Sequence, residues 1–364
     1  MKLEEVLKHI INSGSDFAVW QLPNSSITNG IVSLRTAECR SANIEEDEGF
    51  IISKFNNNDS YYLIKNDINF SSEEQVVTFK KGNLSQLTYN QVELPVEELA
   101  ETSKNAFIAL VDKSIQEINN NLFDKVVISK FRDIQNNIDN IAELFSTLKS
   151  SYPNAMVYLT RIKNNQVWIG ATPETLLSYD KNKTFSTVAL AGTQAVKNMH
   201  AKEATWGIKE IEEQAFVSRY IIDCFKKIRL RQYTEKGPKT IQAGNLFHLN
   251  TTFTVQNKYT QLDNLAQKML DLLHPTSAVC GMPLRSSKDF ILENEKHDRS
   301  FYSGYLGPIN FDGDTSLFVN LRCAKVYKNK LRLFAGAGIT EDSIAEKEWL
   351  ETEMKCNIIA QKLN

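Results

Sequence analysis

Residues 302–335 read YSGYLGPINFDGDTSLFVNLRCAKVYKNKLRLFA. Three runs rich in β-branched and aromatic residues, 302–309, 317–327 and 331–335, are separated only by short turn-forming segments, Asp312-Gly313 and 328–330. Connections this short cannot carry a crossover helix, so the spacing predicts antiparallel hairpins. Outward from this stretch, 125–131 (KVVISKF), 155–162, 167–170, 184–190 and 246–254 have the same strand character. Helical spacing marks 102–118, with Phe107, Leu110, Val111, Ile115 and Ile118 on one side, and also 140–150, 200–229, 261–273 and 345–362. Hairpins interspersed with long helices predict an α+β fold with largely antiparallel sheets, not the regular alternation of a doubly wound one. The first ~100 residues are polar and rich in Asn and Ser, with strand-like pieces at 49–55 and 61–64 and no catalytic constellation.

The bulk numbers narrow the class. With 364 residues, 42% of them hydrophobic, the chain can bury a large core. A net charge of −2 and no long basic run argue against a nucleic-acid groove. Five cysteines without a C-x-x-C pair suggest reduced, mostly buried thiols, not a disulfide frame or a zinc site. The N-terminal MKLEEVLKHI is a charged amphipathic helix without the apolar core of a signal peptide, and no run approaches 18 apolar residues. The expectation is a soluble cytoplasmic protein.

Residues 333–355, LFAGAGITEDSIAEKEWLETEMK, draw attention as a site. Gly336 and Gly338 are expected near a helix start, leaving bare N–H groups for an anion. On the following helix Glu348, Glu351 and Lys355 share a face, suited to a divalent cation and an acidic small molecule, or to plain surface ion pairs. Glu210 and Glu213 are spaced i,i+3 on the long helix, whose other face (Ile208, Ile211, Ala215, Val217, Ile221, Ile222) is apolar. Two helices could thus each bring a glutamate to one Mg²⁺, the remaining ligands being water and substrate. Glu174, in GATPETLL, follows a strand and a proline that fixes its direction; it is either a general acid or the first turn of a helix. Lys125 opens an apolar strand, where lysine is ordinary edge protection or, half-buried, a base. Arg322 lies mid-strand in FVNLRCA and needs a partner, which a substrate carboxylate would supply. His248 and His274 complete the candidates, although a lone histidine in an apolar strand is more often structural. No H-E-x-x-H, G-x-S-x-G, P-loop or dinucleotide fingerprint is present.

Eight segments in order resemble the chorismate-utilising enzymes: isochorismate, salicylate, anthranilate and aminodeoxychorismate synthases. They are KVVISK (125–130), GATPETLL (170–177), ALAGT (189–193), EIEEQAFV (210–217), LHPTSAVCGMP (273–283), DRSFYSGYLG (298–307), NLRCAK (320–325) and LFAGAGI through EWLETEMK (333–355). The resemblance covers roughly 100–364, with 1–100 divergent. It implies one large α+β domain over 1–364, an antiparallel β-sandwich with helices packed outside, and a Mg²⁺-dependent reaction on chorismate. It further implies that Glu213 and Glu351 bind the metal, with Glu210 and Glu348 reaching it through water. Arg322 and Tyr302 would grip the enolpyruvyl carboxylate. Gly192, Thr193, the backbone of Gly336 and Gly338, and Lys355 would surround the ring carboxylate, with His248 among the substrate-binding candidates.

Two positions sort the subfamilies. Lys125 is similar to the isochorismate and salicylate synthases, where water needs a base. Ala191 stands where aminodeoxychorismate synthases carry a lysine that attacks the ring, which alanine cannot do. The implied chemistry is therefore water addition at C2 with Lys125, in its neutral form, as base, and loss of the C4 hydroxyl with Glu174 as acid. Isochorismate synthase is the leading expectation. Salicylate synthase, which goes on to eliminate pyruvate, is the alternative; anthranilate synthesis is opposed by Lys125. A monomer without an amidotransferase subunit is expected, and the sequence does not choose between menaquinone and siderophore synthesis. Two departures from the family pattern are Ser277, where proline is usual, and Gln214, where histidine is common and a change in the metal's surroundings is expected.

Overall fold

Strand β1 (Asp16–Gln21) shows how the chain builds its layers. Its side chains alternate, so Phe17 and Val19 enter one apolar core while Ala18 and Trp20 enter another. Both faces are buried, which is why such strands read as continuous apolar runs and not as an apolar–polar alternation. In this computed structural model, which describes residues 1–40, 43–56, 60–87, 93–135, 141–163, 165–196, 200–243 and 246–363, the pattern extends across two large sheets.

The first sheet has ten strands in the order β15 (Gly281–Met282), β8 (Lys125–Gln135), β19 (Lys330–Ile339), β18 (Cys323–Val326), β10 (Gln166–Thr172), β9 (Met156–Ile162), β1, β2 (Thr28–Ser33), β6 (Ile68–Glu73) and β7 (Val76–Lys81). The second has nine: β13 (Thr234–Ala243), β14 (Leu246–Gln256), β12 (Thr184–Ala195), β11 (Thr175–Tyr179), β17 (Thr315–Val319), β16 (Tyr305–Ile309), β4 (Gly49–Ser53), β5 (Tyr61–Lys65) and β3 (Glu38–Arg40). Every pairing described is antiparallel, for example β8 with β19 and β12 with β14. Between the sheets lies an aromatic core that includes Trp20, Phe50, Trp168, Phe318 and Phe334. Helices α1 (Leu3–Asn12) and α3 (Ile141–Ser151) cover the outer face of the first sheet; α4 (Ile208–Lys227) and α6 (Leu265–Leu273) cover that of the second, with the single turn α5 (Asn257–Thr260) between them in the chain. A fourth cluster joins α2 (Lys104–Asn119) and α7 (Leu284–Asn294) to β8, β19 and the start of α8 (Ala345–Ala360). Among the described residues no helix is long and apolar enough to cross a membrane.

The α+β expectation of an antiparallel sandwich with helices outside is what the chain forms, with three corrections. The run 317–327 is two strands, β17 and β18, in different sheets, because the chain changes sheet at Arg322, whose φ is +47°. Tyr302 lies in the turn before β16, not in the strand. The long helix begins at Ile208, not near 200, and Ile208 and Ile211 are exposed, so the apolar face is buried only from its middle onward. The polar first part supplies β1–β7, which lie in both sheets. Of the helix expected at 140–150, Asn140 lies outside the described residues and α3 starts at Ile141.

Candidate active site

The chain passes from one sheet to the other at 173–174 and again at 320–322, and each of these passages carries a candidate residue. Glu174 sits between β10 and β11, and Arg322 between β17 and β18. The two passages bond to each other: Ala171 N–H donates to Arg322 O (3.0 Å), and Val319 N–H donates to Glu174 O (2.9 Å). Close approach needs Gly170, since a β-carbon there would lie 3.0 Å from Arg322 O and 2.8 Å from the Tyr158 ring. Glu174 is therefore not the first turn of a helix.

Lys125 reaches this region from the first residue of β8, and its side chain lies over Gly338. A β-carbon on Gly338 would be 2.9 Å from Lys125 Cε, and one on Gly336 would be 2.9 Å from Tyr302 Oη. Here the structure corrects the expectation of a glycine turn at a helix start. Both glycines are inside β19, paired with Ser129 and Val127 of β8, and the helix begins only at Ala345. Being two apart, they face the same way and clear one surface of the strand for Lys125 and Tyr302. Lys355 of α8 extends to the same place, donating to Gly336 O (2.8 Å) and pairing with Glu351 (2.5 Å).

The electrostatics follow from these positions. Burial pushes the Glu174 carboxyl up from 4.5 to about 7, against the pull of Arg322, Lys125 and Lys355. Burial lowers Lys355, and the neighbouring Arg322 lowers it further while Glu351 opposes. Burial also lowers His248, whose Nδ1 is 3.1 Å from Gly192 O. Gly192 itself, at φ +65°, forms a bulge in β12 where the register with β14 shifts between Ala191 and Thr193; Thr193 then pairs with His248. A β-carbon on Gly192 would meet Glu210 and Trp206, so this glycine lets α4 start against the strand. Cations thus surround a carboxyl poised near neutrality, a setting that favours an anionic small molecule.

Sequence reasoning missed two supports of this arrangement and the role of a third. Buried Asn320 accepts from Tyr158 Oη (2.6 Å) and donates to Phe301 O (2.9 Å), tying the Tyr302 turn to the Arg322 passage. Glu295 and Arg299, an ion pair at 2.6 Å with both side chains buried, hold β8: Glu295 accepts from Ser129 N–H (2.6 Å), and Arg299 donates to Val127 O (2.6 Å). Gln214 is buried and donates to Ala189 O (3.1 Å) and Thr251 Oγ1 (2.9 Å), bolting α4 to the second sheet. Asn320, Arg299 and Gln214 had a signal in the sequence, as polar residues inside the quoted segments, whereas Glu295 lies outside them.

The four glutamates are placed in two pairs. Glu210 and exposed Glu213 ride on α4; half-buried Glu348 and Glu351 ride on α8. Among the described residues no three His, Cys, Asp or Glu side chains gather closely enough to hold a metal. The donor set still fits Mg²⁺, a hard cation that takes one or two protein carboxylates and completes its shell with water and substrate oxygens.

Residues 51–364 match the family described as chorismate binding enzyme. The chain belongs to this enzyme family. It is similar to isochorismate synthase EntC of Escherichia coli, with 29% identity over 309 residues, covering 81% of this chain and 75% of the relative. Its fold is that of two solved structures. One is the putative 2,3-dihydroxybenzoate-specific isochorismate synthase DhbC of Bacillus anthracis (TM-score 0.76, 22% identity, 100% and 99% of the two chains). The other is MenF, the menaquinone-specific isochorismate synthase of E. coli (TM-score 0.77, 19% identity, 98% and 91%).

Proposed function

We propose that this chain is an isochorismate synthase, converting chorismate to isochorismate. The observation that carries the reading is Glu174: a carboxyl held near pH 7 by burial, at a sheet passage shared with Arg322 and within the field of Lys125 and Lys355. Chorismate is a dicarboxylate, and Arg322 and Lys355 supply one cation for each end, with Tyr302 beside the enolpyruvyl carboxylate. Lys125 takes a proton from the water that adds at C2, and Glu174 gives one to the hydroxyl leaving C4. Gly336 and Gly338 leave the space in which Lys125 and Tyr302 meet the substrate. Glu213 and Glu351 would hold Mg²⁺, with Glu210 and Glu348 behind water; when bound, it supplies positive charge at the ring carboxylate. Half-buried Ala191 offers no nucleophile, which supports water addition over covalent attack by the enzyme.

Incubating the pure protein with chorismate and Mg²⁺ and separating the products by chromatography tests this reading. Isochorismate is the expected product. Salicylate fluorescence would assign the chain to the pyruvate-eliminating branch, and ammonia-dependent anthranilate would overturn the role of Lys125.

A further inference from the structure

Helix α8 carries three side chains of the site, Glu348, Glu351 and Lys355, and its apolar contacts do little to fix how it is turned about its own axis. Ile344 precedes it without a side-chain cap, and its buried residues are Thr352, Cys356 and Ile359. Cys356 and Ile359 share a core with Leu331, Leu333 and Ala335 of β19. Apolar contact is non-directional, so this narrow seam sets the depth of the helix more firmly than its roll. Tyr152 Oη donates to Ile358 O (2.9 Å), which pins the far end by its backbone.

Directional contacts come from β8. Trp349, Glu353 and Asn357 are spaced i,i+4 and form one stripe of α8. Lys130, 1% exposed, pairs with the Glu353 carboxylate, and its ammonium lies 3.6 Å from the centre of the Trp349 ring. Arg132 donates through Nη1 to Glu353 (2.8 Å) and through Nη2 to Asn357 Oδ1 (2.8 Å). Against the burial that raises it, these two cations hold the Glu353 carboxyl below its ordinary value. At 3.6 residues per turn, Glu351 and Lys355 stand roughly 160° from Glu353, on the opposite flank. There Lys355 donates to Gly336 O (2.8 Å). Lys130 pairs in the ladder with Ala335, the residue before Gly336, so β8 grips one flank at the level where the site uses the other. Well-packed apolar residues are often as stabilising as a buried ion pair, and what the ions add here is direction. A roll of about 20° would carry a side-chain end ~5 Å from the helix axis through about 2 Å, enough to break the bond from Lys355 to Gly336 O.

Resting on the isochorismate synthase reading, we propose that Glu353, gripped by Lys130 and Arg132, is a positioning residue that sets the roll of α8. Through that roll it places Glu351 and Lys355 against Mg²⁺ and the ring carboxylate of chorismate. Glu353 itself touches neither.

The test compares wild type with Glu353→Gln, Asn357→Ala and Glu346→Gln. Titration calorimetry measures Mg²⁺ binding in the presence of chorismate, and turnover gives KM and kcat. Glu353→Gln should weaken Mg²⁺ binding roughly 10-fold, the lower end of what losing a support behind a metal ligand costs, and raise KM for chorismate to a similar degree. With both at saturation kcat should stay within about threefold, since the loss is one of binding. Asn357→Ala removes one tie and leaves the ion pair, so it should fold normally and weaken Mg²⁺ about threefold. Glu346 forms an exposed pair with Lys104 (2.6 Å) in the first turn of the same helix, and its glutamine variant should match wild type in all three constants. A merely structural role for Glu353 would lower the melting temperature and the active fraction and leave the binding constants alone. Mg²⁺ binding and KM within twofold of wild type in Glu353→Gln, or in Asn357→Ala if the former does not fold, would therefore overturn the proposal whatever happens to kcat. A wild type that binds chorismate and Mg²⁺ but makes a different product overturns the parent reading alone, because the binding constants still judge Glu353. A wild type that binds neither overturns both.

Discussion

Replacing Glu174 by glutamine should make the protein inactive and, at the same time, more stable at alkaline pH. The Glu174 carboxyl is pushed up from 4.5 to about 7 by burial, which outweighs Arg322, Lys125 and Lys355. A raised folded-state pKa means that the native protein binds this proton more tightly than the unfolded chain does. The stability this contributes is fully present below about pH 4.5 and is lost as pH rises to about 7. The gap of about 2.5 pH units, at about 1.36 kcal/mol each, amounts to about 3 kcal/mol, and partial solvent access trims it to about 2. Glutamine has the shape of the protonated carboxyl and never ionises. Urea unfolding of wild type and E174Q, followed by tryptophan fluorescence, should give matching stabilities near pH 4.5 and a gain of about 2 kcal/mol for E174Q at pH 8. Turnover of E174Q should fall by roughly 10²–10⁴. In wild type the rate should drop about tenfold per pH unit above 7, as the acid loses its proton. Parallel stability curves for the two proteins from pH 4.5 to 8 would refute the claim that the fold holds Glu174 protonated.

Lys125→Ala should reduce turnover by roughly 10²–10⁴ while far-UV circular dichroism stays unchanged; near-wild-type turnover would remove lysine from the reaction. Gly338→Ala places a methyl 2.9 Å from Lys125 Cε, the mobile end of a side chain, so it should cost little stability yet misplace the base and lower kcat at least tenfold. Gly336→Ala meets Ile128 O at 2.9 Å as well as Tyr302, and should lower the melting temperature by an amount equivalent to about 1–3 kcal/mol. A chelator should abolish turnover and added Mg²⁺ restore it. Titration calorimetry should show Mg²⁺ binding in the presence of chorismate that weakens at least tenfold in Glu351→Gln.

The fold was legible where strand character is carried by side chains: the segments around 125–131, 155–162 and 246–254 each became a strand. It was misread where backbone and sequence signals part. Glycine weakens a strand on its own, so the reading of 331–335 stopped before Gly336. The strand continues because β8 offers a full ladder from Gln135 to Val126, and because what the glycines lack is what Lys125 and Tyr302 occupy. Arg322 illustrates the opposite failure. No glycine or proline interrupts 317–327, and the chain turns at an arginine in the left-handed region, a conformation ordinarily uncommon for such a residue.

The site residues were legible as types and not as an arrangement, since what assembles them is backbone. A chain that leaves one sheet for another gives up both ladders for a few residues, and its N–H and C=O groups need other partners. Here the two passages satisfy each other through Ala171 N–H to Arg322 O and Val319 N–H to Glu174 O. Thr172 Oγ1 adds a further bond to Val319 O (2.5 Å). The Glu174 carboxyl and the Arg322 guanidinium therefore owe their relative position to backbone hydrogen bonds that no substitution of either side chain removes. That separation of duties lets Glu174 carry a poised carboxyl, and Arg322 an unusual backbone angle, while both remain held by the two sheets they connect.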